Sequence, residues 1–386
     1  MQSFTNAGAQ WSSPRANVLK TTLLTAALLG AYGVAQGAGT EIFVDGTNSS
    51  SSSPYNLDLA TPPITKLSVT SGGFATGNGT VINGNLPNLA SVTAGGSLTL
   101  SDALVTNTNS GPAMTANGAG AKITLSGANT VINWDGANVG GGGVSALRAV
   151  NGGVIDIDGG TINTSGVAIA DSLDRVRKQG ILAADGGTVT AKNLTINTSG
   201  GFSPGVQAFR TYGNPTAGDV PTVVSLDNVK INTTGSNYSV GIRADHAGAS
   251  VVANGTDVNT TGAGSHGVEV DDGATVALTG GSITTSGVSA SGVRAYTGSG
   301  AQGLLGPGVA TVTGTKIITS GDNAAGVLAG DSAEPTKGVV HLAGAGITTS
   351  GASTGGLTVA GGANGIEANY GGEIKSTGSM IAASGA

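Results

Sequence analysis

From about Leu98 onward, apolar residues fall in short alternating runs separated by Gly, Ser and Thr, and no helical period of useful length interrupts them. One run alternates as Ile155/Ile157, Val189/Ala191, Val224/Leu226, Val251/Ala253, Val276/Leu278, Ala310/Val312 and Val340/Leu342, with fainter copies at Leu98/Leu100 and Ile123/Leu125. A second run reads INTSG from Ile162 and Ile196, INTTG from Ile231 and VNTTG from Val258. It continues as ITTSG from Ile283, IITSG from Ile317, ITTSG from Ile347 and IAASG from Ile381. Successive starts lie 34, 35, 27, 25, 34, 30 and 34 residues apart. A third run opens on Gly, continues with Val or Ile and reaches Ala or Val two residues later. It occurs at Gly180, Gly205, Gly241, Gly267, Gly292, Gly326 and Gly365. Period-two alternation inside a repeating unit of about 25 residues predicts a β-solenoid with three short strands per coil.

Four or five aliphatic side chains per unit bury too little area to offset the ordering of some 25 residues, so no unit folds alone. Stacking solves this. Each strand gains a parallel partner above and below at ~4.8 Å, and each aliphatic side chain sits on its counterpart. The expected fold is therefore all-β, a right-handed single-stranded parallel β-helix of roughly ten to twelve coils. Small side chains suit a narrow interior closed by three strands, and Gly at the corners permits turns other residues resist. Two positions after each second-strand aliphatic stand Thr164, Thr198, Thr233, Thr260, Thr285, Thr319 and Thr349. These predict an inward threonine ladder, each hydroxyl bonding to its neighbour in the next coil.

Composition agrees with a thin, repetitive interior: 69 Gly, 3% aromatic and 10% charged residues in 386. With 11 Pro and no Gly-X-Y period, collagen is excluded. The net charge of −6 offers no general attraction for nucleic acid or anionic lipid. At the N-terminus, Arg15 and Lys20 precede an apolar run over 23–30, and Gly33 and Ala35 suit a peptidase, which predicts an export signal over 1–38 cleaved between Ala35 and Gly39. The apolar run is far shorter than the ~18–20 residues a membrane span needs. Cys is absent, so stability must come from hydrogen bonding and packing and not from disulfides. The expected organisation is the signal, a linker or N-terminal cap over 39–66, and the β-helix over 67–386. Insertions into the repeat fall at 171–178, 212–221, 298–308 and 331–337.

A leader followed by Gly/Ser/Thr-rich coils reading "TINTSG…GVQA" and "SITTSG…GVRA" resembles the passenger of pertactin-like autotransporters, over about residues 98–386. The resemblance implies a bacterial surface-displayed or secreted β-helix acting as an adhesin or stalk, with a host or cell-surface receptor or glycan bound by loops. It also implies an outer-membrane β-barrel translocator, reached by export through the periplasm. The chain departs from that pattern in two respects. It ends in mid-repeat at "MIAASGA" without barrel-type strands, and it holds no Arg-Gly-Asp triplet.

Candidate chemistry is sparse. Asp156 and Asp158 hint at a calcium loop, but register puts both on the outer face of a strand, and the acidic spacing of such a loop is missing. Asp331-Ser332 has the look of a hydrolase fragment, and His246, His266 and His341 exist, yet nothing fixes an oxyanion hole. The main rival is a secreted polysaccharide-acting lyase or glycosidase, which needs carboxylates converging with a base in one groove. Asp271-Asp272 is the adjacent acidic pair here, placed at a turn. Asn163, Asn197, Asn232 and Asn259 sit in Asn-Thr-Ser/Thr triplets that would accept glycans in a eukaryotic secreted chain. Their fixed place in the repeat is explained by an outward slot beside the threonines. Lys230, Asp257 and Lys316 interrupt the flat Thr/Asn face an ice-binding surface would need. Arg243, Glu269 and Arg294 occupy outward slots of successive third strands and predict an exposed plus–minus–plus stack. The basic cluster ending in Arg175, Val176, Arg177 and Lys178 supplies the candidate binding loop, suited to a sulfated glycan or acidic receptor, with Arg175, Arg177 and Lys178 as its contacts. No catalytic residue, metal or cofactor is nominated, and no enzymatic activity is expected.

Overall fold

The computed structural model describes residues 40–46, 54–59, 63–135, 144–165, 178–211, 219–235, 238–297, 306–330, 337–353 and 363–384. The described residues form an all-parallel β-solenoid of about eleven to twelve coils. Each regular coil runs through three strands, for example Ala249–Asn254, Asp257–Thr260 and Val268–Asp271, which lie on what we term the first, second and third faces. Strands of the first face make one 12-stranded sheet; those of the second and third join in a 23-stranded sheet. The signal stretch 1–38 lies outside the described residues. Within 39–66, expected as linker or cap, Thr40–Asp45 pairs in parallel with Ile64–Thr70, and Tyr55–Asn56 with Phe74–Asn78.

The columns meet like on like. Ile162, Ile196, Ile231, Val258, Ile283, Ile317, Ile347 and Ile381 stand in one continuous register on the second face. Ile181, Val206, Ile242, Val268, Val293, Val327 and Ile366 do the same on the third. One hydrophobic core runs the length of the stack. Its dependence on a covering coil is visible at the last described rung. Ile347 is 2% exposed beneath its neighbour, whereas Ile381, with no described coil over it, is 41% exposed.

Two corner devices explain the glycines that matter most. Between third and first faces, the Asp271 carbonyl accepts from Ala274 N–H (2.9 Å) across Asp272 and Gly273, both at positive φ (48° and 81°). This is a type I′ turn, recurring at Asp185-Gly186 and Asn151-Gly152. Between second and third faces, a Cβ on Gly241 would lie 2.2 Å from Val258 Cγ1 and 2.6 Å from the Gly267 carbonyl oxygen. Only a missing side chain lets the next coil's aliphatic column close against this corner.

The threonine column is inward and buried as expected, but its hydroxyls do not bond from coil to coil. Thr233 Oγ1 donates to the Ser239 carbonyl (2.7 Å), Thr260 to Ser265 (2.7 Å) and Thr285 to Ala290 (2.6 Å), all within one coil. The corner that follows leaves a carbonyl facing the interior, and the nearest hydroxyl satisfies it. The side-chain ladder belongs instead to the outward asparagines. Asn163, Asn197 and Asn232 each donate Nδ2–H to Oδ1 of the Asn one coil earlier at 2.9 Å, starting from Asn133, and Asn259 continues the row at 3.2 Å. An amide carries both donor and acceptor, so it propagates a ladder at strand spacing; a threonine already committed to a carbonyl does not.

Gly241→Ala is expected to lower stability by about 3 kcal/mol, as overpacking against backbone and a β-branched neighbour requires. Gly346→Ala, where a Cβ meets nothing within 4 Å, should change it by less than about 0.5 kcal/mol. Urea unfolding midpoints of the two variants check this, and equal midpoints would contradict the corner assignment.

Candidate functional site

Outside the coil, the second face carries the asparagine row and the first a mixed column that includes Asp156, Val252, His341 and Lys375, whereas the third combines charge with burial. Its outward column reads Thr115, Arg148, Leu182, Gln207, Arg243, Glu269, Arg294, Leu328 and Glu367 in continuous register. Two residues on, the same side of the strands carries Val150, Ala184, Phe209, Asp245 and Asp271. The apolar members Val150, Leu182, Ala184 and Phe209 form a second, small cluster outside the coil. The order Arg243, Glu269, Arg294 is as read from the sequence, but the expected exposure is wrong. Arg243 is 2% and Glu269 1% exposed, so this side of the central third strands is covered and not solvated.

Arg243 is the hub. Its Nη2 donates to Asp271 Oδ2 (2.8 Å) and lies 3.2 Å from Asp245 Oδ2, while its Nε is 3.4 Å from Glu269 Oε1. Arg294 reaches Glu269 Oε2 at 3.4 Å and stacks over the Tyr296 ring, 4.3 Å from the centroid. Tyr296 donates its hydroxyl to Asp271 Oδ2 (2.9 Å). His266 Nδ1 accepts the Ser291 N–H (3.0 Å), which leaves Nε2 as the ring position facing Arg294 at 3.2 Å and Glu269 at 3.8 Å. Three carboxyls from two adjacent coils thus converge on one guanidinium.

Burial and crowding divide these carboxyls. Burial alone would raise Asp245, but the Arg243 charge and the hydrogen bond with His246 outweigh it and hold the group at about 2. Burial would likewise raise Glu269; Arg243 and Arg294 bring it below the usual glutamate range. Asp271 goes the other way. Burial, then the neighbouring Asp245 charge, pushes it well above the carboxylate range, so it carries the proton that two adjacent buried anions cannot both lose. The same burial and the facing carboxylates keep the Tyr296 phenol protonated. One ionised and one protonated carboxyl beside a guanidinium is an acid–base pair in principle. Their near-complete burial keeps a polymeric substrate from reaching them in this arrangement.

Next to the hub, His246 Nδ1 lies 2.6 Å from Asp245 Oδ1 and its Nε2 3.9 Å from Asp272 Oδ2; Phe209 packs edge-on against the ring at 5.5 Å. These three residues could contribute ligand atoms to a metal, all within 4.8 Å of one another. The two ring nitrogens face different carboxylates, however, which is the geometry of an Asp–His–Asp bridge, whereas a metal needs donors converging on one point.

The other nominated residues fall elsewhere. Asp156 is on the outer face and pairs with Lys122 at 2.9 Å. His341 stands outward on its strand in register with Thr311 and Lys375. Arg175, Arg177 and Asp331-Ser332 lie outside the described residues. Lys178 is a correction. It opens the strand Lys178–Ala184, is 2% exposed, and holds its ammonium 5.4 Å over the Trp134 ring, so it is not the exposed end of a binding loop. Burial lowers its pKa, with Asp135 opposing. Sequence reasoning passed over Asp245 and Tyr296 altogether and read Asp271 only as part of a turn pair. The signal was present in "GIRAD", "GVEVD" and "GVRAY", where polar or charged residues fill both outward slots of three successive strands in a chain with only 10% charged residues. No family model, curated protein or solved structure matches the chain.

Two outcomes are expected. Arg243→Met should destabilise the protein by about 3–5 kcal/mol, since it leaves buried carboxylates without their cation. The second concerns pH. Asp245, depressed, contributes stability above the unfolded carboxylate range of ~4, and that contribution is lost as pH falls toward its folded value. Asp271, raised, contributes fully below ~4, and its share is lost as pH rises through its folded value. Wild type should therefore lose stability relative to Asp271→Asn as pH increases from 4 to 7. A pH-independent difference in urea midpoints would refute the protonated Asp271.

Proposed function

We propose that the chain is a bacterial surface-displayed or secreted passenger of the pertactin-like autotransporter kind, working as an adhesin or stalk without catalysis of its own. In this reading the leader exports it to the periplasm, a β-barrel translocator carries it across the outer membrane, and its partner is a host or cell-surface receptor or glycan. The observation that carries the reading is where coils differ from one another. The stretches 136–143, 166–177, 210–221, 296–307, 330–337 and 350–365 all adjoin a third strand. From Phe74 onward, first-to-second connections hold to two residues, such as Asn228 and Val229, apart from 127–130. From Phe74 onward the longer insertions thus gather at the ends of the third strands, beside the buried charged column. That placement suits a rigid scaffold presenting recognition loops. The buried Arg243 hub would fix the face on which those loops are mounted.

Arg175 and Arg177 remain the proposed contacts. Replacing 171–177 with a Gly/Ser segment of equal length is expected to weaken binding of purified protein to host cells about tenfold, the ~1.4 kcal/mol of one good contact, with an unchanged unfolding midpoint. Undiminished cell binding would remove this loop from the reading. The convergence of Asp245, Glu269 and Asp271 on Arg243 favours one alternative, a polysaccharide-acting enzyme whose covering segments open. Reducing-sugar release that disappears in Glu269→Gln, at an unaltered unfolding midpoint, would put that enzyme in place of the adhesin.

A further inference from the structure

Three arginines share the outward column of the third face, and one of them is treated unlike the others. Arg243 meets Asp245, Glu269 and Asp271, and Arg294 meets Glu269, so each has an acid from its own or an adjacent coil. Arg148 stands in register between Thr115 and Leu182, neither of which can neutralise it. Among the described residues it has no ion pair, and its Nε is buried without a hydrogen-bond partner. Asp185 acts on it electrostatically, but both Asp185 oxygens are taken by Thr211, by the backbone N–H at 2.7 Å and the hydroxyl at 2.9 Å. Burial works against the Arg148 charge, with Asp185 opposing. A half-buried cation left in this state is unfavourable, and the same column shows how readily this fold supplies an acid.

Around Arg148, one flank is polar and the other apolar. One coil earlier in its column, Thr115 donates its hydroxyl to Asn88 Oδ1 at 3.0 Å. Two residues further along that strand, Asn117 is in register with Val150, and its Oδ1 accepts from Asn151 Nδ2 at 2.9 Å. Asn88, Asn117 and Asn151 are all exposed. These bonds leave Asn88 and Asn117 their own amide N–H groups, and leave Asn151 a second N–H and its carbonyl oxygen. On the next coil, Leu182 and Ala184 join Val150 and Phe209 in the small outer apolar cluster. Low polarity there strengthens any charge pair formed beside it.

We infer that Arg148 anchors a binding site for a carboxylated sugar, with its terminal Nη groups gripping the carboxylate and Asn117 and Asn151 bonding to neighbouring hydroxyls. A guanidinium presents two parallel N–H donors to the two oxygens of a carboxylate. Amides offer both a donor and an acceptor, as hydroxyls do, so the flanking asparagines suit a sugar ring. One negative charge balances one guanidinium; a densely sulfated chain would bring surplus charge toward Asp185. The choice of a glycan rests on the adhesin reading above, but the site is apart from 171–177. Replacing that loop should therefore leave binding of the free sugar intact.

The test is calorimetric titration of the full chain with sialyllactose and trigalacturonate, beside lactose, the methyl esters of both acids, and a short polyglutamate peptide. At least one acidic sugar should bind, its methyl ester roughly tenfold more weakly or worse. Arg148→Gln should weaken binding roughly tenfold or more, and Arg148→Lys less, since an ammonium keeps the charge but loses the fork. Asn117→Ala should lower affinity severalfold, the loss of one hydrogen bond. Arg148→Gln strands no buried acid, so its urea midpoint should hold or rise, unlike that of Arg243→Met. Four results would overturn the inference: no acidic sugar binding at millimolar concentration, equal binding of an ester, affinity unchanged in Arg148→Gln, or binding of the peptide alone. So would an Arg148→Gln midpoint that falls as far as that of Arg243→Met, which would make Arg148 structural. Sugar binding that persists when 171–177 is replaced, whatever happens to cell binding, would support this site and leave the loop to be judged by itself.

Discussion

In-register contact between one coil and the next is the constraint on which the rest of this molecule depends. Every strand is parallel to its neighbours, and every inward side chain rests on its equivalent above and below. The Gly column at the second-to-third corner makes that contact possible, because a Cβ at Gly205, Gly241 or Gly267 would collide with the aliphatic side chain of the following coil. Cooperation between coils replaces the thick core of an ordinary globular domain, so the chain manages with few aromatics and no disulfide.

With the interior committed to stacking, identity between coils can relax only on the outside, and each face relaxes in its own way. The second face keeps a hydrogen-bonded asparagine row, which demands the same residue in each coil to continue. The third face carries Leu, Gln, Arg and Glu in successive coils and then buries them. Burying Arg243 with three carboxyls is a poor way to gain stability, since desolvation offsets most of the Coulombic attraction. Such a network instead holds neighbouring coils and whatever covers them in one arrangement, and it forces one carboxyl to retain its proton.

Much of the fold was legible. The aliphatic columns, their spacing, the three strands per coil and the coil number follow from period-two alternation repeated at near-constant intervals, and each of those columns appears in register. The site was legible only in part. The Arg243–Glu269–Arg294 order could be read by aligning the third strands, but their surroundings were taken as solvent because alternation marks a side chain as outward and says nothing about what lies over it. Lys178 was misread for the same reason, being the end of a charged run in sequence and the start of a covered strand in space. The threonines were placed correctly and bonded wrongly, since their partners are carbonyls five or six residues ahead in a corner whose geometry no residue pattern announces.

By itself the sequence determined which side of each strand faces the interior and which residues stack, because strand geometry alternates side chains and a repeat brings like positions together. Tertiary structure alone decided which outward groups are buried, which guanidinium lacks an acid and which carboxyl keeps its proton. Those outcomes turn on separations of a few ångströms between segments distant in the chain, where desolvation and hydrogen-bond geometry change steeply and a residue pattern carries no distance.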